Sequence, residues 1–138
     1  MAHVFSRRKP SEIMRAVRDR DKKPEMAVRH LLHRMGYRYC LHVRSLPGTP
    51  DLVFPSRHKV ILVHGCYWHR HLCREGRSMP SSRTAYWRAK FARNRLRDSR
   101  TRRALLRSGW RILVLWECQL HPKKLPALMA RLRRFLDG

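Results

Sequence analysis

DLVFPSRHKVILVHGCYWHRHLC, residues Asp51 to Cys73, decides how this chain folds. Asp51-Leu-Val-Phe54 reads as a strand that Pro55 and Ser56 bring to an end. Lys59-Val-Ile-Leu-Val63 is an unbroken apolar run rich in β-branched residues, the pattern of a strand buried on both faces. From Gly65 to Ser82 the composition turns polar and dense in His, Cys and aromatics, so the core strand runs into an irregular loop.

Upstream of this stretch, Pro47, Gly48 and Pro50 supply turn chemistry, and Tyr37 to Val43 reads as a first strand. Pro24 suits the first turn of a helix, with Glu25 favoured there by the dipole; Val28, Leu31, Leu32 and Met35 form its apolar face and Gly36 ends it. Ser11 is an N-cap for a shorter helix through about Arg18, with Ile13, Met14 and Val17 on one stripe. Downstream, Thr84 to Leu106 is helical and stops at Gly109. Arg111 to Trp116 is another buried-type strand, and Pro122 to Leu136 is a terminal helix with Leu125, Leu128, Leu132 and Leu136 on one side. Trp110, Trp116 and Cys40 read as core. The sum is an α/β fold, a small mixed sheet flanked by helices.

The chain has 138 residues, which predicts a single domain over 1–138. Lys and Arg number 33 against 9 acids, a formal charge of +24. An excess of this size, spread through segments with apolar periodicity, belongs to a folded basic surface and points to a polyanion, with nucleic acid ahead of an anionic membrane. No run approaches the ~18 apolar residues of a membrane span. The first twenty residues lack a secretory h-region, so a cytoplasmic setting is expected, with the four cysteines reduced.

Candidate chemistry gathers around the loop. Cys66, His71 and Cys73, with Cys118 just after a predicted strand, carry the thiolate and imidazole ligands of a structural zinc site; separate buried or idle thiols are the bland alternative. Asp51 stands at a strand end where a carboxylate and a backbone carbonyl could hold Mg²⁺, although a lone Asp after Pro-Gly-x-Pro is often just a turn cap. His64 and His69 remain as proton acceptors near neutral pH. Spacing alone leaves open whether His69 or His71 is the zinc ligand. Tyr67, Trp68 and Trp87 are rings set among cations, suited to stack on or wedge between bases, while inward packing of Trp87 and Phe91 fits equally. Trp87, Lys90, Asn94 and Arg97 share one helix face.

The strings IMRAVRDRD, LPGTPDLVF, VILVHGCYWHRHLC, RTAYWRAKFARN and GWRILVLWEC, in order from about Ser11 to Cys118, resemble the very-short-patch-repair (Vsr) DNA mismatch endonucleases. The resemblance implies a restriction-endonuclease-like core that nicks one strand of double-stranded DNA next to the mismatched thymine of a T:G pair, with catalytic Mg²⁺ and structural Zn²⁺. It implies Asp51 and the Val63 carbonyl as Mg²⁺ ligands, His69 as general base, and His64 and Glu25 as supports for metal-bound waters and phosphate. Zinc falls to Cys66, His71, Cys73 and Cys118. Tyr67, Trp68 and Trp87 become the wedge, Met14 and Val17 approach from an N-terminal DNA-contacting region at 1–20, and Lys90 and Asn94 read groove edges.

Three features depart from the family pattern: Tyr67 where Phe is familiar, Arg70 within a usual His run, and a loop after Cys73 that is one residue longer. The usual nuclease acid-x-Lys motif is missing from Val60 to Val63, so a carbonyl and histidines must substitute, as in the family. Cutting one strand at an asymmetric lesion needs no two-fold symmetry, so a bacterial, nucleoid-associated monomer is expected, with other mismatch-repair proteins as possible partners. The rival reading is a zinc-stapled duplex-binding module without catalysis.

Overall fold

The computed structural model describes residues 24–138. Helix α1 (Pro24–Arg34) begins with Pro24, whose missing N–H costs nothing in a first turn, and buries Ala27, Val28 and Leu32. Gly36 takes a φ of +95°, the left-handed conformation that stops the helix as expected. Strands β1 (Cys40–Leu41), β2 (Leu52–Phe54), β3 (Lys59–His64) and β4 (Arg111–Trp116) form one sheet in the order β1-β2-β3-β4. The first three are antiparallel neighbours; β3 and β4 run parallel, from Lys59 opposite Arg111 to His64 opposite Trp116.

A parallel pair needs a long crossover. Here it holds the loop after β3, a short helix α2 (Arg74–Arg77) and the 24-residue helix α3 (Thr84–Arg107). Two 3₁₀ turns, Glu117–Leu120 and Pro122–Lys124, lead from β4 to helix α4 (Leu125–Asp137). This is the small mixed sheet flanked by helices that the sequence predicts.

Burial divides the sheet into a heavy and a light face. Leu52, Phe54, Ile61 and Leu115 pack with Val28 and Leu32 of α1 and with Leu132 and Leu136 of α4. On the other face Val53 and Val60 meet Leu105, near the end of α3, with Val43, Leu46, Trp110 and Ile112 partly buried against them. Lys59 is 4% exposed, and its Nζ donates to the carbonyls of Phe135, Leu136 and Gly138 at 2.6, 3.1 and 3.0 Å. It thereby satisfies carbonyls that have no partner inside the last turn of α4 and ties that helix to the central strand.

Several expectations change. The first strand spans two residues instead of Tyr37 to Val43, because His42 takes a φ of +48° and breaks the extended chain. Tyr37 turns inward instead, its hydroxyl donating to Asp137 at 2.9 Å. Cys40 is exposed, not core, because it lies on this short edge strand. β4 is also an edge strand: only Leu113 and Leu115 are buried, and Trp110 and Trp116 are half-buried. The terminal helix starts at Leu125, after a 3₁₀ turn at Pro122. The helix expected at Ser11 to Arg18, with Met14 and Val17, lies outside the described residues. Among the described residues no helix is long and apolar enough to cross a membrane.

Candidate active site and its metal-ligating clusters

Among the described residues four groups of side chains with ligating atoms lie around the end of β3, Cys66, Glu75 and Glu117 being the fourth. In the first, Asp51, one residue before β2, accepts the Val63 N–H on Oδ2 at 2.7 Å. Glu25 from α1 and His42 from the turn after β1 complete it, with His42 Nε2 2.9 Å from Glu25 Oε2. One ligand atom from each of Glu25, His42 and Asp51 lies within 4.8 Å of the others. Burial pushes the Asp51 carboxyl up to about 6; the Val63 N–H opposes this shift, and the Glu25 charge adds to it. The structure thus brings Glu25 to Asp51 and adds His42, which the sequence reading does not single out. At Val63 it is the amide that touches Asp51.

The second cluster holds the imidazoles. His64 and His69 stack with ring centroids 3.9 Å apart and planes inclined by 4°. His69 Nδ1 lies 2.5 Å from the Asp98 carboxylate of α3. An Nδ1–H donated there leaves Nε2 with its lone pair free to accept a proton. Burial first, and the neighbouring His69 second, lower His64 to about 4, so His64 is neutral at physiological pH. Trp116 braces this group, 5.1 Å from His64 and stacked at 4.3 Å on His71. Asp98, the one acid of α3, is a candidate site residue that the sequence analysis did not single out.

In the third cluster, ligand atoms of Cys66, His71, Cys73 and Cys118 all lie within 4.8 Å of one another. The register of β3 with β4 explains this meeting: His64 faces Trp116, so Cys66 and Cys118 leave the sheet side by side. The Cys118 N–H donates to Cys66 Sγ at 3.3 Å, and Cys118 Sγ is 3.6 Å from His71 Nδ1. Burial raises the Cys66 thiol to about 12. Burial opposes ionisation of Cys73 as well, but hydrogen bonds from His71, the Gly76 N–H, Cys66 and Cys118 outweigh it and bring that thiol to about 7. Three sulfurs and one imidazole, gathered in a loop with little apolar content, fit a tetrahedral zinc ion. The arrangement uses His71 and leaves His69 with Asp98.

The aromatic rings form one patch. Trp68 and Trp87 have centroids 6.0 Å apart, and Tyr67 meets buried Phe91 edge-on at 5.3 Å. Phe91 anchors the patch and Trp68 is 47% exposed. The Arg70 guanidinium lies 4.2 Å over the Phe91 ring, and Arg70 has a φ of +55°. Asn94, expected at a groove edge, donates from Nδ2 to the Trp68 carbonyl at 3.1 Å and so ties the loop to α3. Lys90 is half-buried on the same helix.

The clusters open on two sides. Glu25, Val63, Tyr67, Trp68, Glu75 and Glu117 line a cavity of about 440 Å³. His64, His69 and Asp98 line a second one, of about 510 Å³, beneath α3. Glu75 and Glu117 are further carboxylates beside the first cleft. Neither was read as functional, since nothing in their spacing sets them apart.

With this geometry in place, comparison with known proteins is informative. The family described as "DNA mismatch endonuclease Vsr" matches residues 2–75. The chain is 54% identical to the type II nicking enzyme V.XorIIP of Xanthomonas oryzae pv. oryzae over 125 residues, covering 91% of this chain and 90% of the relative. It is 37% identical to the DNA mismatch endonuclease Vsr of Escherichia coli, covering 100% and 90%. Identity to the type II nicking enzyme V.NmeAIP of Neisseria meningitidis is 34%, covering 89% and 87%.

The Asp51 group carries a stability cost that can be measured. A carboxyl whose folded pKa is raised binds its proton more tightly in the folded state, so its ionised form costs stability, fully above the folded value and not at all below the unfolded one. In chelator, Asp51→Asn is therefore expected to stabilise the protein at pH 7.5 by ~2 kcal/mol, a gain that fades between about pH 6 and 4. Denaturant melts across that range check it; an unchanged or lowered midpoint at pH 7.5 would contradict the strained carboxylate.

Proposed function

Because this chain belongs to the Vsr family of DNA mismatch endonucleases, we propose that it is a strand-specific endonuclease acting in very short patch repair. It hydrolyses one phosphodiester next to the mismatched thymine of a T:G pair. The observation that carries this reading is the Asp51 carboxylate, held against the β3 backbone beside Glu25, which lines one cleft with Tyr67 and Trp68. The relatives named nicking enzymes support cleavage of a single strand.

Asp51 and the Val63 carbonyl would hold Mg²⁺, which when bound would offset negative charge on the phosphoryl oxygens. The oxygen donors of Asp51 and Glu25 fit a hard cation. Glu25 orients water and phosphate at the edge of the cleft. His69 accepts a proton at Nε2 from the attacking water; the new P–O bond forms as the bond to the leaving oxygen breaks in line, and solvent water protonates the departing oxygen. Asp98 holds His69 in the tautomer that this transfer needs. His64, neutral and stacked on His69, keeps a second cation away from the base. Zn²⁺ on Cys66, His71, Cys73 and Cys118 would staple the loop that presents His69, Tyr67 and Trp68.

Tyr67, Trp68 and Trp87 enter the duplex at the lesion, with Phe91 as their footing. Lys90 reads a groove edge. Asn94 positions Trp68 through its carbonyl and turns to the bases only by giving up that bond. Met14 and Val17, which belong to this surface by resemblance, lie outside the described residues.

A strand-labelled duplex carrying either T:G or the matched pair, incubated with Mg²⁺ or with EDTA, tests the reading. A cut confined to the mismatched T strand and to Mg²⁺ is expected. Equal cutting of the matched duplex would refute mismatch specificity, and tight binding with no cut would favour the non-catalytic module. For the loop, Cys66→Ser is expected to lower the zinc-to-protein ratio from about one toward zero. An unchanged ratio in the purified variant would overturn the ligand set.

A further inference from the structure

His42 belongs to the Asp51 cluster, yet the cleavage steps above give it no part. The register of β1 with β2 sets Leu41 opposite Leu52, so the next pair along is His42 and Asp51, and the His42 N–H donates to the Asp51 carbonyl at 3.4 Å. His42 holds a φ of +48°, a conformation that residues other than glycine seldom adopt and that gathers at functional sites. The ring meets α1, with Nε2 2.9 Å from Glu25 Oε2.

A carboxylate only accepts hydrogen bonds, so Nε2 carries the hydrogen and donates it. Arg29, one turn along α1, has Nη1 3.9 Å from the same oxygen, too far for a hydrogen bond. The His42 and Glu25 side chains are 49% and 25% exposed, and an ion pair so open to solvent adds little stability. What the contact fixes is a direction. Ligand atoms of Glu25 and Asp51 lie within 4.8 Å of each other, and two carboxylates that close repel. Without a tether the Glu25 side chain gains by turning away to solvent. Glu25 lines the cleft with Val63, Tyr67 and Trp68, whereas His42 is not part of that lining. One residue thus holds both acid-bearing segments, Asp51 through its backbone and Glu25 through its ring.

We propose that His42 is a positioning residue for strand cleavage: its Nε2–H holds Glu25 Oε2 so that this carboxylate stays turned toward Asp51 and the cleft. The inference rests on the role given above to Glu25, as a support for metal-bound water and phosphate. His42 acts through Glu25 and touches neither substrate nor cation. Removing a group that orients the residues around a metal commonly costs about 10- to 100-fold in metal affinity or activity.

The test compares His42→Ala with His42→Gln. Both keep a Cβ at the same φ and so share its backbone cost, but only Gln restores an N–H near the place of Nε2. Single-turnover nicking of the T:G duplex in Mg²⁺ is expected to fall about 10- to 100-fold in His42→Ala and to return to within about threefold of the parent in His42→Gln. Duplex affinity in EDTA stays unchanged in both. A second readout needs no cleavage: Mn²⁺ is titrated into the full chain without DNA, unbound Mn²⁺ is counted by electron paramagnetic resonance, and Asp51→Ala serves as the blank. Binding is expected to weaken about tenfold in His42→Ala and to stay at the parent value in His42→Gln. In a Glu25→Ala background, His42→Ala is expected to add nothing further to the loss of Mn²⁺.

Equal losses in the Ala and Gln variants would assign the effect to the turn or the ring and overturn the proposal. Parental nicking and Mn²⁺ uptake in His42→Ala would overturn it too, as would a full further loss in the Glu25→Ala background or a parent chain that takes up no more Mn²⁺ than the blank. A parent chain that leaves the T:G duplex uncut refutes the proposed function alone, and the Mn²⁺ titrations then still decide on His42.

Discussion

Burial of β3 is the constraint on which the rest of the structure depends. Four of its six residues, Val60 to Leu62 and Lys59, sit under flanking strands and helices, and its sixth, His64, is nearly as covered. A strand so enclosed can release polar groups only where it ends, and the loop that carries Cys66, His69, His71 and Cys73 leaves from that end. Asp51 is locked to it by the Val63 amide. Its parallel register with β4 carries Cys66 to Cys118. The Lys59 ammonium anchors its start beneath the last carbonyls of α4.

Charge is arranged against stability in the same region. The surface is strongly cationic, yet the cleft beside Trp68 gathers Glu25, Glu75 and Glu117, with Asp51 close by. A buried carboxylate next to another acid is costly without a cation, and its raised pKa expresses that cost. The imidazole side follows the opposite logic: His69 has a carboxylate partner, while His64 is kept neutral by burial. Cations spread over the exposed faces of α3 make a basic surface, while the cleft beside Trp68 is lined by carboxylates.

Much of this was legible from local pattern. The β-branched run at Lys59 to Val63, the punctuation by Pro24, Gly36 and Gly109, and the stripe of leucines in α4 each report their element through short-range chemistry. The thiol and imidazole types of Cys66, His71, Cys73 and Cys118 also marked a cluster before its geometry was known. What escaped depends on tertiary packing. Asp98 reaches His69 only because α3 crosses above the loop, and no spacing rule links residues 29 apart. His42 joins Glu25 through a positive φ that a Tyr37-to-Val43 strand pattern conceals. Trp116 looked like core because alternation alone cannot tell an edge strand from a central one; its ring instead supports three imidazoles.

The central claim is that catalysis hangs on one carboxylate that duplex binding does not need. It is tested most directly by measuring, for Asp51→Ala, both T:G nicking under single-turnover conditions and affinity for the same duplex. The account predicts that nicking disappears while affinity stays close to that of the parent chain. Turnover at the parent rate would contradict it.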